Sequence, residues 1–232
     1  ASKWDYELRF PDQVGELADR AYAIANSTPK GPVYVALPRE VLCEGYAGPD
    51  VARPLSMQPA KISADRALMA DLAQRIAEAK LPVIFAQHGA GNAEAFAALS
   101  ALVNRWAVPV CQYWAVQLAL PTDHDMHAGG DPAPLLEQAD LVIVLDSLAP
   151  WSQQAHVVRD DATVVHIGPD PLKARTPIRN FRSNISIASE LPDAILALAS
   201  ALDSHLPGQA VEARRGETVA RNAATRQAAL TK

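Results

Sequence analysis

Hydrophobic positions along this chain follow two rhythms that replace each other several times. From Pro11-Asp12 onward, Val14, Leu17, Ala18, Ala21, Ile24 and Ala25 recur at spacings of three and four, which predicts a helix ended by Ser27 to Gly31. Pro32-Val-Tyr-Val-Ala-Leu37 then reads as a short strand stopped by Pro38. Residues 43–62 carry Gly45, Gly48, Pro49, Pro54 and Pro59 and no period, the signature of a linker. Beyond it Ser63 stands as an N-cap for a helix presenting Leu68, Met69, Leu72, Ala73 and Ile76. The pattern continues with strand 82–86, a helix from about Asn92 to Trp106, strand 108–111 and a short helix at 135–138. Strand 140–145, strand 163–167 and a weaker strand 184–188 follow, and Ser189 is placed as the cap of a last helix through Ile195, Leu198 and Leu202.

Short, continuously apolar strands alternating with helices are what a parallel sheet covered on both faces requires. The predicted fold is therefore α/β: a doubly wound, mostly parallel, Rossmann-like domain over residues 63–205. It is preceded by the last helix and strand of another α/β domain (1–42) and the linker 43–62. Residues 206–232 carry few large apolar side chains, are rich in Arg and Ala, and are expected as a linker helix or tail. One helix and one strand cannot bury their own apolar faces, so residues 1–42 are expected to complete a domain that lies earlier in a longer protein.

Composition changes this picture little. Hydrophobic residues are 49%, charged residues 20%, and the net charge is −5, which gives no electrostatic basis for nucleic acid or an anionic membrane as partner. No apolar run reaches the roughly 18 residues of a membrane span. The cysteines, Cys43 and Cys111, are far apart, and a cytoplasmic setting without a disulfide is expected.

Candidate chemistry gathers where strands end. His88-Gly-Ala-Gly91 follows a strand and opens a helix, the place where a parallel sheet offers free N–H groups to a phosphate. Position 94 is Glu rather than a third glycine, so Gly89 and Gly91 read equally as a tight turn. Asp146 and Asp170 also follow strands, where carboxylates hold ribose hydroxyls or cap turns. Residues 121–132, PTDHDMHAGGDP, bring Asp123, His124, Asp125, His127 and Asp131 close together in sequence. A metal needs ligands that converge in space, which a His-x-x-His loop does not ensure, and no metal ligand is assigned. No nucleophile elbow is present, and Cys111 and His166 read as packed strand residues.

These landmarks together resemble a known family. KGPVYVALPREVL (30–42) is similar to the end of the pyrimidine-binding domain in thiamine diphosphate enzymes of the acetolactate synthase type, with Glu40 where aspartate is usual. PVIFAQHGAG, VPV, LPTDHDMHAG, EQADLVIVLD and VVHIGPDP resemble its central domain, in order, from about Trp4 to Leu202. The resemblance implies a lyase or transferase that cleaves or forms carbon–carbon bonds beside a carbonyl, acting on a 2-oxo acid or similar substrate. It implies thiamine diphosphate and Mg²⁺ as cofactors and a homodimer or homotetramer as the assembly. The activating glutamate and the Gly-Asp-Gly metal motif map to no position here, and Gly129-Gly130-Asp131 is no substitute, so the chain alone is expected to be inactive.

Central domains of this type hold FAD, hold an adenine nucleotide, or are structural. Three departures argue against FAD: a short loop from His127 to Leu135, no arginine in LDSLAPW (145–151), and Gly168 where an acidic residue is common. An adenine nucleotide at Gly89, Gly91, Asp146 and Asp170 and a bare scaffold remain as readings. The alternative outside this class is a stand-alone nucleotide-binding or regulatory module without chemistry.

Overall fold

A computed structural model describes residues 2–46 and 56–230. The chain forms two compact units, 1–62 and 63–232.

In the first unit, β1 (Trp4–Glu7) lies parallel to β2 (Val33–Ala36), with α1 (Val14–Asn26) between them in sequence and α2 (Arg39–Leu42) after. The helix predicted from Pro11 begins as a 3-10 turn at Pro11–Gln13 and becomes α-helical at Val14. Strand β1 was missing from the helix-and-strand expectation, although Trp4, Tyr6, Leu8 and Phe10 alternate with Asp5, Glu7 and Arg9 in the period of two that marks a strand. Of the expected linker, residues 47–55 lie outside the described residues. Its later part is tied to α1: the buried Asp19 carboxylate accepts from Ser56 N–H (2.9 Å) and Ser56 Oγ (2.5 Å), and Thr28 N–H donates to Ala60 O (2.9 Å).

The second unit contains a five-stranded, all-parallel sheet in the order β4-β3-β5-β6-β7: β3 (Pro82–Ala86), β4 (Val110–Cys111), β5 (Leu141–Leu145), β6 (Thr163–Gly168) and β7 (Ile185–Ala188). Alternating side chains divide between two cores, as the pleat dictates. Ile84, Ala86, Ile143, Leu145, Val165 and Ile167 face α3 (Arg66–Glu78), α4 (Ala93–Trp106) and α6 (Leu191–Leu202). Val83, Phe85, Val142, Val144 and Val164 face Trp151, Leu135 and Leu136. The doubly wound expectation therefore holds with a difference. The second face is covered by the four-residue α5 (Ala133–Leu136) and by irregular chain, not by long helices. Phe85, Trp151 and Phe181 close it through successive edge-to-face ring contacts, with centroids 5.3 and 5.5 Å apart.

Three helix details depart from the sequence reading. Asp65, not Ser63, caps α3, accepting from Ala67 N–H (2.9 Å) and Leu68 N–H (3.0 Å); a carboxylate answers both the free amides and the helix dipole. Leu68 lies off the buried stripe of Met69, Leu72, Ala73 and Ile76. Glu190, not Ser189, occupies the cap position of α6, without a side-chain bond to the helix's first amides, and the buried Ser189 hydroxyl donates instead to Glu190 O (2.9 Å).

The largest difference is α7 (Gln209–Leu230), where residues 206–232 were expected as a linker helix or tail. It packs along the second unit through Val211, Arg214, Thr218 and Asn222, all buried and spaced by three and four. Only one of these is apolar, which is why a reading of hydrophobic periodicity ended the domain at 205.

Candidate functional site

The strand order places β3 between β4 and β5, so the chain leaves β3 toward one side of the sheet and later returns on the other. The carboxyl ends of β3 and β5 form the switch point at which open α/β sheets take ligands. Four predicted residues, Gly89, Gly91, Asp146 and Asp170, lie on the three loops that follow β3, β5 and β6.

Side chains of this protein already span the crevice. His88 Nδ1 is 2.6 Å from Asp146 O and 3.6 Å from Asp146 Oδ2, bridging the ends of β3 and β5. Lys173 Nζ donates to Asp146 Oδ1 at 2.7 Å, with both side chains largely covered. Asp146 and Lys173 both have positive φ, 36° and 51°, a backbone state rare outside glycine. Gly168 allows this approach, since a Cβ there would lie 3.2 Å from the Asp146 Cβ. An acidic residue at 168 would displace Asp146, which accounts physically for the glycine. Asp170 caps the next turn, its Oδ2 accepting from Ala174 N–H (2.8 Å).

The glycines are engaged by the chain's own packing. At Gly89 (φ 71°) a Cβ would meet Leu118 O at 2.9 Å, and at Gly91 (φ 90°) it would meet the Pro192 ring at 2.8 Å. Gly91 therefore lets α6 start against the turn before α4. Gly91→Ala combines a left-handed backbone with a collision and is expected to destabilise the chain by about 1–2 kcal/mol in urea unfolding.

The sequence reading missed Gln87, Lys173 and Arg179. Gln87 Oε1 accepts from Leu148 N–H (2.9 Å) and Ser147 Oγ (3.3 Å), and its Nε2 donates to Trp114 O (3.3 Å), joining the loops after β4 and β5. Arg179 donates to the carbonyls of Ser147 (2.8 Å), Leu148 (3.2 Å) and Pro171 (3.4 Å). His166 is buried in β6, as expected, and sits between the Arg182 carbonyl (3.2 Å) and the Arg179 guanidinium (3.5 Å). Burial, with Arg179 and then Lys173 nearby, pushes its pKa down to about 4, so the ring is neutral at pH 7. Between Val144, Asp146, Ser147, His166, Asp170 and Lys173 the cleft is closed by the chain's own atoms and leaves no room for a water molecule, whereas a small-ligand site needs roughly 300 Å³.

The PTDHDMHAGGDP loop is a platform for α7. Asn222 Nδ2 donates to Asp125 O (2.8 Å), Arg226 Nη1 donates to His124 O (2.9 Å), and Gly129 lies against Thr225. Both imidazoles turn inward: His124 Nδ1 accepts from Met126 N–H (3.0 Å), and His127 Nδ1 accepts from Gly129 N–H (3.4 Å). Burial, then the charges of Arg226 and His124, hold the His127 pKa below its usual range. Asp131 caps α5 through Ala133 N–H (3.1 Å). Among the described residues no three His, Cys, Asp or Glu side chains converge as a metal cage. Cys43 and Cys111 are both free thiols, and burial pushes Cys111 up to about 12, so it packs and does not attack.

Residues 69–201 match the family model described as "Thiamine pyrophosphate enzyme, central domain". The chain belongs to this family. A probable 2-ketoarginine decarboxylase, AruI, of Pseudomonas aeruginosa is 34% identical over 141 residues, covering 58% of this chain and 24% of that protein. An acetolactate synthase of Mycobacterium leprae is 26% identical over 230 residues, covering 89% and 34%. In fold, the crystal structure of benzoylformate decarboxylase from Polynucleobacter necessarius superposes with a TM-score of 0.71 at 24% identity, over 90% of this chain and 40% of that one. The chain thus spans about a quarter to a third of the length of these curated relatives. Among the described residues no helix is long and apolar enough to cross a membrane.

Proposed function

We propose that this chain is the connecting part of a thiamine diphosphate- and Mg²⁺-dependent lyase or transferase acting on a 2-oxo acid, assembled as a homodimer or homotetramer. The match of residues 69–201 to the central-domain model carries this reading. The 2-ketoarginine decarboxylase similarity supports the substrate class, since 2-ketoarginine is a 2-oxo acid. Held by the complete protein, thiamine diphosphate would supply the nucleophile and electron sink for bond cleavage or formation beside the carbonyl.

This chain's own residues do not fit that coenzyme. Gly129-Gly130-Asp131, its nearest approach to a diphosphate and metal segment, is committed to packing on Thr225 and capping α5. The central domain therefore serves as a scaffold between coenzyme-binding domains, with Gly89, Gly91, Asp146 and Asp170 as a crevice for an adenine nucleotide. The test is carbon dioxide release from a panel of 2-oxo acids by the complete protein, stripped of cofactor and then reconstituted. Activity is expected to fall to background without thiamine diphosphate and Mg²⁺ and to return with both, while residues 1–232 alone stay inactive. A complete protein that neither binds thiamine diphosphate nor turns over any 2-oxo acid would overturn the reading.

A further inference from the structure

Parallel neighbours in a sheet need a crossover, and most crossovers are helices. The connection from β6 to β7, residues 169–184, has no helix; its Pro171 and Lys173 line the crevice, and its Arg179 donates to Ser147 O on the loop after β5. An unstructured connection of this length is uncommon in a compact domain and is either a functional loop, such as a lid, or a linker; both ends of this one are fastened to the domain. Residues 171–184 include Lys173, Arg175, Arg179 and Arg182 and no acidic residue. They are fastened at both ends. Lys173 stands on Asp146 at one end, and at the other Arg182 donates to the carbonyls of Arg159 (2.6 Å), Asp160 (3.1 Å) and Ala162 (2.9 Å). Between these ends Arg179 holds the carbonyls of the β5 loop.

Resting on the nucleotide reading of the crevice, we propose that residues 171–179 are a displaceable lid, latched by the Lys173–Asp146 ion pair, that competes with a nucleoside diphosphate for the crevice. Asp146 directly follows β5 at the crevice, and the lid's own cation occupies its carboxylate. The latch sits on two left-handed residues, Asp146 and Lys173, a conformation retained while surrounding contacts hold it. Its anchoring is asymmetric. Arg182 and the half-buried Phe181 fix the distal end on the second core, whereas Leu172, Arg175 and Ile178 are exposed. Arg179, bonded to the Ser147 and Leu148 carbonyls, marks the distal hinge, and Asp170, accepting from Ala174 N–H, marks the proximal one, so release of the ion pair loosens the turn between these two hinges and opens the cleft without disturbing the sheet.

Lys173→Met in the complete protein tests the lid. Amide hydrogen exchange of residues 171–179 is expected to rise about tenfold in the variant, with β5 and β6 unchanged. Arg175→Gln, an exposed change off the latch, leaves exchange as in the wild type. Calorimetric titration with ADP is expected to show about fivefold tighter binding to Lys173→Met, because the closed population no longer reduces the apparent affinity. Unchanged exchange in Lys173→Met overturns the latch. Raised exchange with equal ADP affinity in both forms overturns the competition and leaves the nucleotide reading standing. Absence of ADP binding in both forms overturns the nucleotide reading and the competition with it. If Lys173→Met does not fold, Lys173→Gln, which keeps a polar head, is read by the same two measurements.

Discussion

Arg214→Ala is expected to lower the unfolding free energy by about 3–4 kcal/mol, read from the urea midpoint by far-UV circular dichroism. Arg214 is 4% exposed and reaches from α7 into the space where α3 and α4 end. Its guanidinium donates to Trp106 O through Nη2 (2.6 Å) and Nε (3.2 Å), to Ile76 O (3.2 Å), and to Ala79 O. These carbonyls lie at the C-terminal ends of α3 and α4, where the helix dipole is negative and the last acceptors lack intrahelical donors. Burial pushes the Arg214 pKa down to about 10, yet the group stays charged at neutral pH, balanced by the carbonyls it serves. Alanine would leave a cavity and unsatisfied acceptors at the most deeply buried of the polar contacts that hold α7, others being those of Arg215, Asn222 and Arg226. Arg214→Lys, a point charge without the planar fork, is expected to recover about half of the loss. A loss below about 1 kcal/mol for Arg214→Ala would mean that water replaces the guanidinium and that α7 is not part of the cooperative unit.

Acidification is expected to cost the chain about 2–3 kcal/mol through His166 alone. The ring is 2% exposed, and its folded pKa of about 4 lies below the unfolded value of about 6.5. Above pH 6.5 the imidazole is neutral in both states and its contribution to stability is complete. Between pH 6.5 and 4 the unfolded chain binds a proton that the native ring resists, so stability falls as pH falls. Below pH 4 both states are protonated and this loss stops growing. The difference in unfolding free energy between pH 7 and pH 4 should therefore shrink by that amount in His166→Gln. An unchanged difference would show that the native ring is protonated in place, for example by turning away from Arg179.

Much of the second unit was legible from side-chain order alone. Runs such as Leu141–Leu145 and Pro82–Ala86 are fully buried, and no arrangement other than a parallel strand between two covered faces suits them. The start of α4 at about Asn92 was also readable, and the structure makes Asn92 its cap, because capping depends on residues within one turn. The family resemblance could be read for the same reason, since it rests on the order of strands and turns, and the central-domain match bears it out. The positions of Gly89, Gly91, Asp146 and Asp170 at strand ends followed from that order.

What those residues touch was decided by tertiary structure. Gly91 meets Pro192, and Asp146 meets Lys173, contacts made across long stretches of chain that no local pattern encodes. The PTDHDMHAGGDP loop illustrates the limit best. Its residue types suit a metal, but whether five side chains converge depends on the path of the backbone, and here that path turns them to amide donors and to α7. Helix α7 was hidden for the complementary reason: hydrophobic periodicity detects apolar burial, and this helix is held by Arg214, Arg215, Asn222 and Arg226. Local sequence determined the elements and their order, because propensity, capping and pleat alternation act within a few residues. The partners of each polar group were set only when distant segments met, because a buried charge is stable solely where the fold supplies its acceptors.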